Sequence, residues 1–144
     1  MVELLVAMAI TTILATVAIP SFFGLIASQR AKTVSSELFE SLLKTRSEAI
    51  KRNASVTLSP ATGGWLNGWQ VLDPANAAHV LDTRGAASVK TLTGPVGVTY
   101  SPSGRLVGAA PTFLVTATAG LTTTSQCVSV DLTGRPYIVA GTTC

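Results

Sequence analysis

A chain of 144 residues has room for one domain, or for one domain with an appendage. Charged residues make up 12% of it, against about 25% in ordinary soluble domains, and the deficit is local, because no charge occurs from Leu4 to Gln29. The net charge of +3 permits a weak attraction to anionic lipid or nucleic acid without demanding one.

The uncharged run 4–29 comes first. As a helix it reaches about 39 Å, enough to cross a bilayer core of about 30 Å. It is longer than the apolar core of a secretory signal peptide, and it is preceded by an acid, Glu3, rather than by bases. Pro20 removes a backbone hydrogen bond and is expected to bend or loosen the turn before it. Gly24 softens the same region. Beyond Gln29 the pattern turns amphipathic: Val34, Leu38, Leu42, Thr45 and Ala49 recur at spacings of three and four, with Phe39 and Leu43 widening the stripe. Charged residues occupy the other face, where Glu40 and Lys44 are expected to pair in the favourable i,i+4 order. Asn53 is the expected helix end. The spacing therefore predicts one helix of about 50 residues, half apolar all round and half one-sided. Its apolar half must lie in lipid or against copies of itself.

From Val56 onward short β-type runs alternate with turn residues. Strands are expected at 56–58, 69–72, 79–81, 89–92, 96–100, 106–107, 113–117, 127–132 and 137–139, with no further helix of any length. The expected fold class is α+β: a long N-terminal helix packed on an antiparallel β domain, either a two-sheet sandwich or an open meander. The expected organisation is 1–28 as an apolar transmembrane or filament-core helix, 29–53 as its amphipathic continuation, and 54–144 as the β domain.

Little in the chain suggests catalysis. His79 has only Asp82 as a local acid and is expected at the surface. There is no Gly-x-Ser-x-Gly, and no Lys-Ser/Thr follows the glycines of GPVGVTYSPSG. Asp73, Asp82 and Asp131 each stand beside a turn, where Asp commonly caps backbone groups. No enzyme activity, cofactor or metal is expected. Trp65 and Trp69 are expected to pack in the core or in a hairpin, pairing across it where Asn67-Gly68 forms the turn. Cys127 and Cys144 fit no metal-ligand spacing, and a disulfide is the better reading than two buried thiols. It requires an oxidising compartment. Arg105 and Arg135 follow turns and, with Arg84 and Lys90 adding charge, offer weak, salt-sensitive phosphate contact. The bland alternative is ordinary turn cations.

The segment MVELLVAMAITTILATVAIP resembles the mature N-terminus of type IV pilins and type II secretion pseudopilins. In that family a prepilin peptidase removes a leader before a Phe-Thr-Leu-Ile-Glu type sequence, and the new N-terminus is methylated. Val2-Glu3-Leu4-Leu5 matches the interior of that pattern, so a leader and the first mature residues are expected ahead of it. The resemblance implies that Glu3 neutralises the N-terminal amine of a neighbouring subunit during assembly. It also matches Pro20 to the proline near which the family's helix stretches in a filament. Arg30 and Lys32 alone would place the β domain in the cytoplasm by the positive-inside rule. The cysteine pair places it outside, and the family keeps its basic residues in the leader.

RSEAIKRNASVTL, followed by GGWLNGWQVLD and later by CVSVDLTGRPY and a terminal Cys, resembles the GspH/FimT group, which holds FimU and the minor pseudopilins. This resemblance implies a minor pilin that primes or caps a type IV pilus. It would sit in the inner membrane by a single pass before assembly, and its partners would be other pilins bound through the N-terminal helix. A type II secretion pseudopilin is one alternative. A DNA-binding minor pilin for natural transformation is the other, since FimT-type members use a Gly-Arg-x-Arg element. Here that element reads Gly134-Arg135-Pro136-Tyr137, with Tyr in place of the second Arg.

Overall fold

The structure, a computed structural model, describes residues 2–76 and 79–144, with the side chains of residues 17–21 outside the description. One helix, α1, runs Val2–Arg52. The helix backbone continues through Pro20, whose side chain falls outside the described set, as does any loosening there. The helix stops at Asn53, which takes a left-handed φ of 49°. Asn is one of the few residues that tolerates this conformation. The Ala54 N–H then closes back on the Ala49 carbonyl at 3.2 Å.

Among the described residues nine strands follow: β1 Val56–Pro60, β2 Trp69–Leu72, β3 Val80–Arg84, β4 Thr91–Thr93, β5 Val98–Tyr100, β6 Leu106–Val107, β7 Thr112–Ala119, β8 Thr122–Val130 and β9 Pro136–Ala140. They form two antiparallel sheets, ordered β3-β2-β1-β5-β6 and β4-β7-β8-β9. The two-sheet alternative is therefore the one realised. In the longest hairpin, β7 and β8 pair from Thr112↔Ser129 to Ala119↔Thr122, leaving Gly120-Leu121 as the turn. The strand β8 begins at Thr122, five residues before the apolar run that announced it. Threonine is β-branched and suits a pleated ladder even where it carries no hydrophobic signal.

The amphipathic half of α1 closes the core. Val34, Leu38, Leu42, Thr45 and Ala49 are all buried, together with Ala27 and Ala31 below them. They face Tyr100, Phe113, Val128 and Val130 from both sheets. Burying each of the larger aliphatic side chains stabilises by about 1.5–3 kcal/mol. Phe39 is only half-buried and Leu43 is exposed, so the stripe is narrower than its sequence suggests.

Three local expectations are corrected. Trp65 lies in a short 3-10 turn, Trp65–Asn67, rather than on a strand, so its ring meets that of Trp69 at 6.4 Å but not as a cross-strand pair of a hairpin. Trp69 stands opposite Pro60 and Arg84 instead. Both rings are core elements. Trp65 packs edge-on to Phe113 at 4.8 Å and donates its indole N–H to the Pro95 carbonyl at 2.7 Å. Trp69 donates to Ser41 Oγ at 2.8 Å. Next, Lys44 pairs with Asp82 at 2.9 Å and Glu40 with Arg84 at 3.6 Å, so the helix charges reach across to β3 rather than to one another. Finally, His79 is at the surface as expected, but its acid neighbour is Asp73, at 3.3 Å, because the chain doubles back between β2 and β3.

Candidate functional site: an exposed helix arm and paired Gly-Arg turns

Two regions carry the residues singled out in the sequence. The first is the helix arm. Residues 2–16 are exposed throughout, with Val2 at 73%, Leu5 at 67% and Ile13 at 65%. Soluble domains rarely leave such a continuous apolar surface open. Its hydroxyl side chains are satisfied within the helix. The hydroxyls of Thr11, Thr12 and Thr16 donate back to the carbonyls of Ala7, Met8 and Ile13 at 2.7–3.0 Å. Such back-bonding lets threonine sit in an apolar medium without an orphaned donor. Glu3 stands in the first turn, exposed, with no cation in ion-pair distance among the described residues. Among the described residues no helix is long and apolar enough to cross a membrane. Residues 17–21, inside the uncharged run, are those whose side chains lie outside the description.

The second region joins the two arginine turns. Residues 101–105 link β5 to β6, and residues 131–135 link β8 to β9. The two turns have the same construction. In each, the glycine N–H donates to the carbonyl three residues back, Gly104 to Ser101 at 2.8 Å and Gly134 to Asp131 at 2.9 Å. In each, the first residue's side chain holds the arginine backbone: Ser101 Oγ donates to the Arg105 carbonyl, and Asp131 Oδ1 accepts from the Arg135 N–H. Both glycines have positive φ, 74° and 87°. The turns also touch. A Cβ on Gly134 would fall 2.2 Å from the Gly104 carbonyl oxygen. Arg105 and Arg135, separated by thirty positions in the chain, thus follow two glycines in backbone contact, and both are exposed.

The surroundings set the electrostatics. Hydrogen bonds from the Thr133 hydroxyl and then from the Arg135 N–H hold the Asp131 carboxyl below the usual range, so a permanent negative charge sits beside Arg135. Beneath the turns, Arg46 of α1 approaches Gly104, and its Nε is buried without a hydrogen-bond partner. The Tyr100 hydroxyl is buried and likewise without a partner, and burial pushes its pKa up. Arg84 and Lys90 do not join this patch. Arg84 is held by Glu40. Lys90 shares a cavity with Arg30, whereas Gly104 lies against Arg46 and Ile50. Sixteen helical residues from Arg30 to Arg46 amount to about 24 Å.

Cys127 and Cys144 form a disulfide. Among the described residues no group of three or more His, Cys, Asp or Glu could hold a metal ion. Sequence reasoning missed the twin turns and the Ser41 hydroxyl that anchors Trp69. The signal for the turns was present: SPSGR and DLTGR share a polar first residue and a terminal Gly-Arg at matching positions.

Residues 35–134 match the family model described as type II transport protein GspH. The chain belongs to the GspH family. Its fold is also that of two crystal structures of the type IV minor pilin FimU from Pseudomonas aeruginosa strain PAO1, in space groups P21 and P65. The first has a TM-score of 0.66 at 22% identity and covers 81% of this chain and 96% of its own. The second has a TM-score of 0.63 at 22% identity and covers 78% of this chain and 98% of its own. No curated protein matches the chain. GspH-family membership makes it a pilin-like structural protein, and pilin-like proteins work by packing against other pilins in a pilus or pseudopilus.

Proposed function

We propose that this GspH-family chain is a minor pilin that helps prime or cap a type IV pilus. The observation that carries the reading is the arm 2–16, apolar, exposed, and with its hydroxyls satisfied internally. Before assembly the exposed part of the run 4–29, up to about Phe22, lies in the inner membrane as a single pass, with the β domain on the oxidising side where Cys127 and Cys144 pair. On assembly the arm exchanges lipid for the helices of neighbouring pilins. Glu3 then enters an apolar bundle, where a carboxylate is costly unless it is paired, and the amine of an adjacent subunit supplies the partner. Leader removal by a prepilin peptidase and methylation of the new N-terminus precede this step. Glu3→Ala is expected to leave the protein in the membrane and out of filaments. Normal incorporation of the variant into pili would overturn the reading. The same arm serves a type II secretion pseudopilin, and the match to the type II transport protein GspH supports that alternative. Complementation of a pilus-deficient strain but not of a secretion-deficient one separates the two.

One observation supports a DNA-binding role as a second reading: the contact between the Gly104 and Gly134 turns, which puts Arg105 and Arg135 on one patch. Two phosphate contacts predict a weak association that falls steeply with salt. Arg105→Gln with Arg135→Gln should reduce the salt slope by about two. Absence of a gel shift with the detergent-solubilised chain at low salt would end this reading.

A further inference from the structure

The β7–β8 turn lies at a particular height on α1. Gly120 packs against Phe23, where an added Cβ would stand 3.0 Å from the ring, and Thr122 approaches Gly24. Leu121, at the tip, is fully exposed at 105%, and Phe22 and Leu25, which flank Phe23-Gly24 in the chain, are each 61% exposed. If residues 4–22 cross the hydrocarbon core, nineteen residues at 1.5 Å per residue give about 28 Å, which matches a core of about 30 Å. Phe23 then stands at the outer boundary of the core, and the hairpin tip stands beside it at the same depth.

The charge distribution agrees. Arg30, about 10 Å further along the helix, shares a cavity of about 490 Å³ with Lys90 and Thr118. Lys32 is exposed next to Arg30. No acid occurs from residue 4 to residue 36, or from residue 83 to residue 130. The end of the domain nearest the arm therefore presents a bare leucine tip with cations just above it and no carboxylate from either segment. An apolar tip below a basic collar suits the boundary between acyl chains and anionic headgroups.

We propose that the β7–β8 hairpin tip is a second lipid contact, with Leu121 inserted at the outer face of an anionic bilayer and Arg30 and Lys90 at its headgroups. Together with the helix it gives the β domain two points of attachment, which fixes its orientation before assembly. The proposal rests on the membrane reading given above, and the test separates the two.

The full chain is reconstituted at low protein-to-lipid ratio into vesicles of phosphatidylcholine, with and without phosphatidylglycerol, carrying nitroxide-labelled acyl chains. Leu121→Trp reports the tip and Ile13→Trp the arm. Val96→Trp, at a 95% exposed position between Pro95 and Gly97, which line a cleft at the far end of β7, reports water. Trp65 and Trp69 are buried and supply a constant background. The expected result is strong quenching at position 13 by deep labels, quenching at 121 by shallow labels, and none at 96. Phosphatidylglycerol should favour the docked tip by about fivefold per cation, an effect lost in Arg30→Gln with Lys90→Gln. Quenching at 13 with none at 121 overturns the hairpin contact alone. Quenching at neither overturns the membrane reading and the contact with it. Protection of 121 that depends on protein density rather than on label depth assigns the tip to a neighbouring copy and also overturns the proposal.

Discussion

Replacing Gly134 with alanine tests whether the two arginine turns are held by direct backbone contact. At φ 87° any L-residue is strained, at roughly 1–2 kcal/mol. The contact adds a second penalty. The new Cβ would meet the Gly104 carbonyl oxygen at 2.2 Å and the Tyr100 ring at 3.2 Å. The closer partner is backbone, so no rotamer change relieves it, and the turns must separate. Overpacking of this kind costs about 1–3 kcal/mol, for a total of about 2–5 kcal/mol. Gly108→Ala is the matched control, because Gly108 has φ 101° and nothing within 4 Å of the added carbon. It carries the conformational penalty alone. Guanidinium unfolding of the detergent-solubilised chain, followed by the fluorescence of buried Trp65 and Trp69, reads both. The expected difference between the variants is about 1–3 kcal/mol. Equal destabilisation by Gly134→Ala and Gly108→Ala would refute the contact, and with it the structural basis for a shared arginine patch.

The Cys127–Cys144 bridge closes a separation of 17 residues, so Cys144→Ser should lower stability by about 3 kcal/mol, read as a lowered melting temperature under non-reducing conditions. Ser41→Ala should destabilise by about 1–3 kcal/mol, since it leaves the buried Trp69 indole N–H unpaired. Combining it with Trp69→Phe should cost less than the sum, and strict additivity in the double-mutant cycle would count against the bond. The carboxyls of Glu48, Asp73 and Asp131 are all held below their ordinary values, chiefly by the Arg52 side chain, the Ala75 N–H and the Thr133 hydroxyl respectively. Depressed carboxylates stabilise fully above their unfolded pKa, near 4. That contribution is lost as pH falls through the folded values. Stability should therefore decline on acidification below about pH 4, and Asp131→Asn should flatten part of the decline in a pH series of thermal melts.

Much of the architecture was legible because its signals are local. Glycine, proline and Asx punctuation separated all nine strands, and the three-and-four spacing of Val34, Leu38, Leu42, Thr45 and Ala49 marked the buried helix face. The first half of β8 was not legible, since Thr122–Gln126 offer β-branching without hydrophobicity. Lys44 and Glu40 were misread as a helical pair, because their true partners, Asp82 and Arg84, lie on β3 about forty residues away and become neighbours only once the helix docks. Trp65 packs in the core as expected, but its setting in a 3-10 turn rather than on a hairpin strand was not legible, because its place is decided by Phe113 and the Pro95 carbonyl rather than by Asn67-Gly68 alone. Of the two arginine turns, each was visible singly. Their contact follows from how the two sheets close over α1, which no spacing along the chain encodes.

The way the β domain attaches to α1 has a mechanical consequence. The sheets lie along the flank of the helix, gripping it from Ala27 to Ala49 through side chains, and the chain leaves the helix only at Asn53. In a filament assembled as proposed, a pull carried by neighbouring N-terminal arms therefore reaches the β domain only as shear across this packed flank and not in series through the strand ladders. The domain rides beside the load path, and the side-chain contacts from Ala27 to Ala49 must slide together before any strand is peeled.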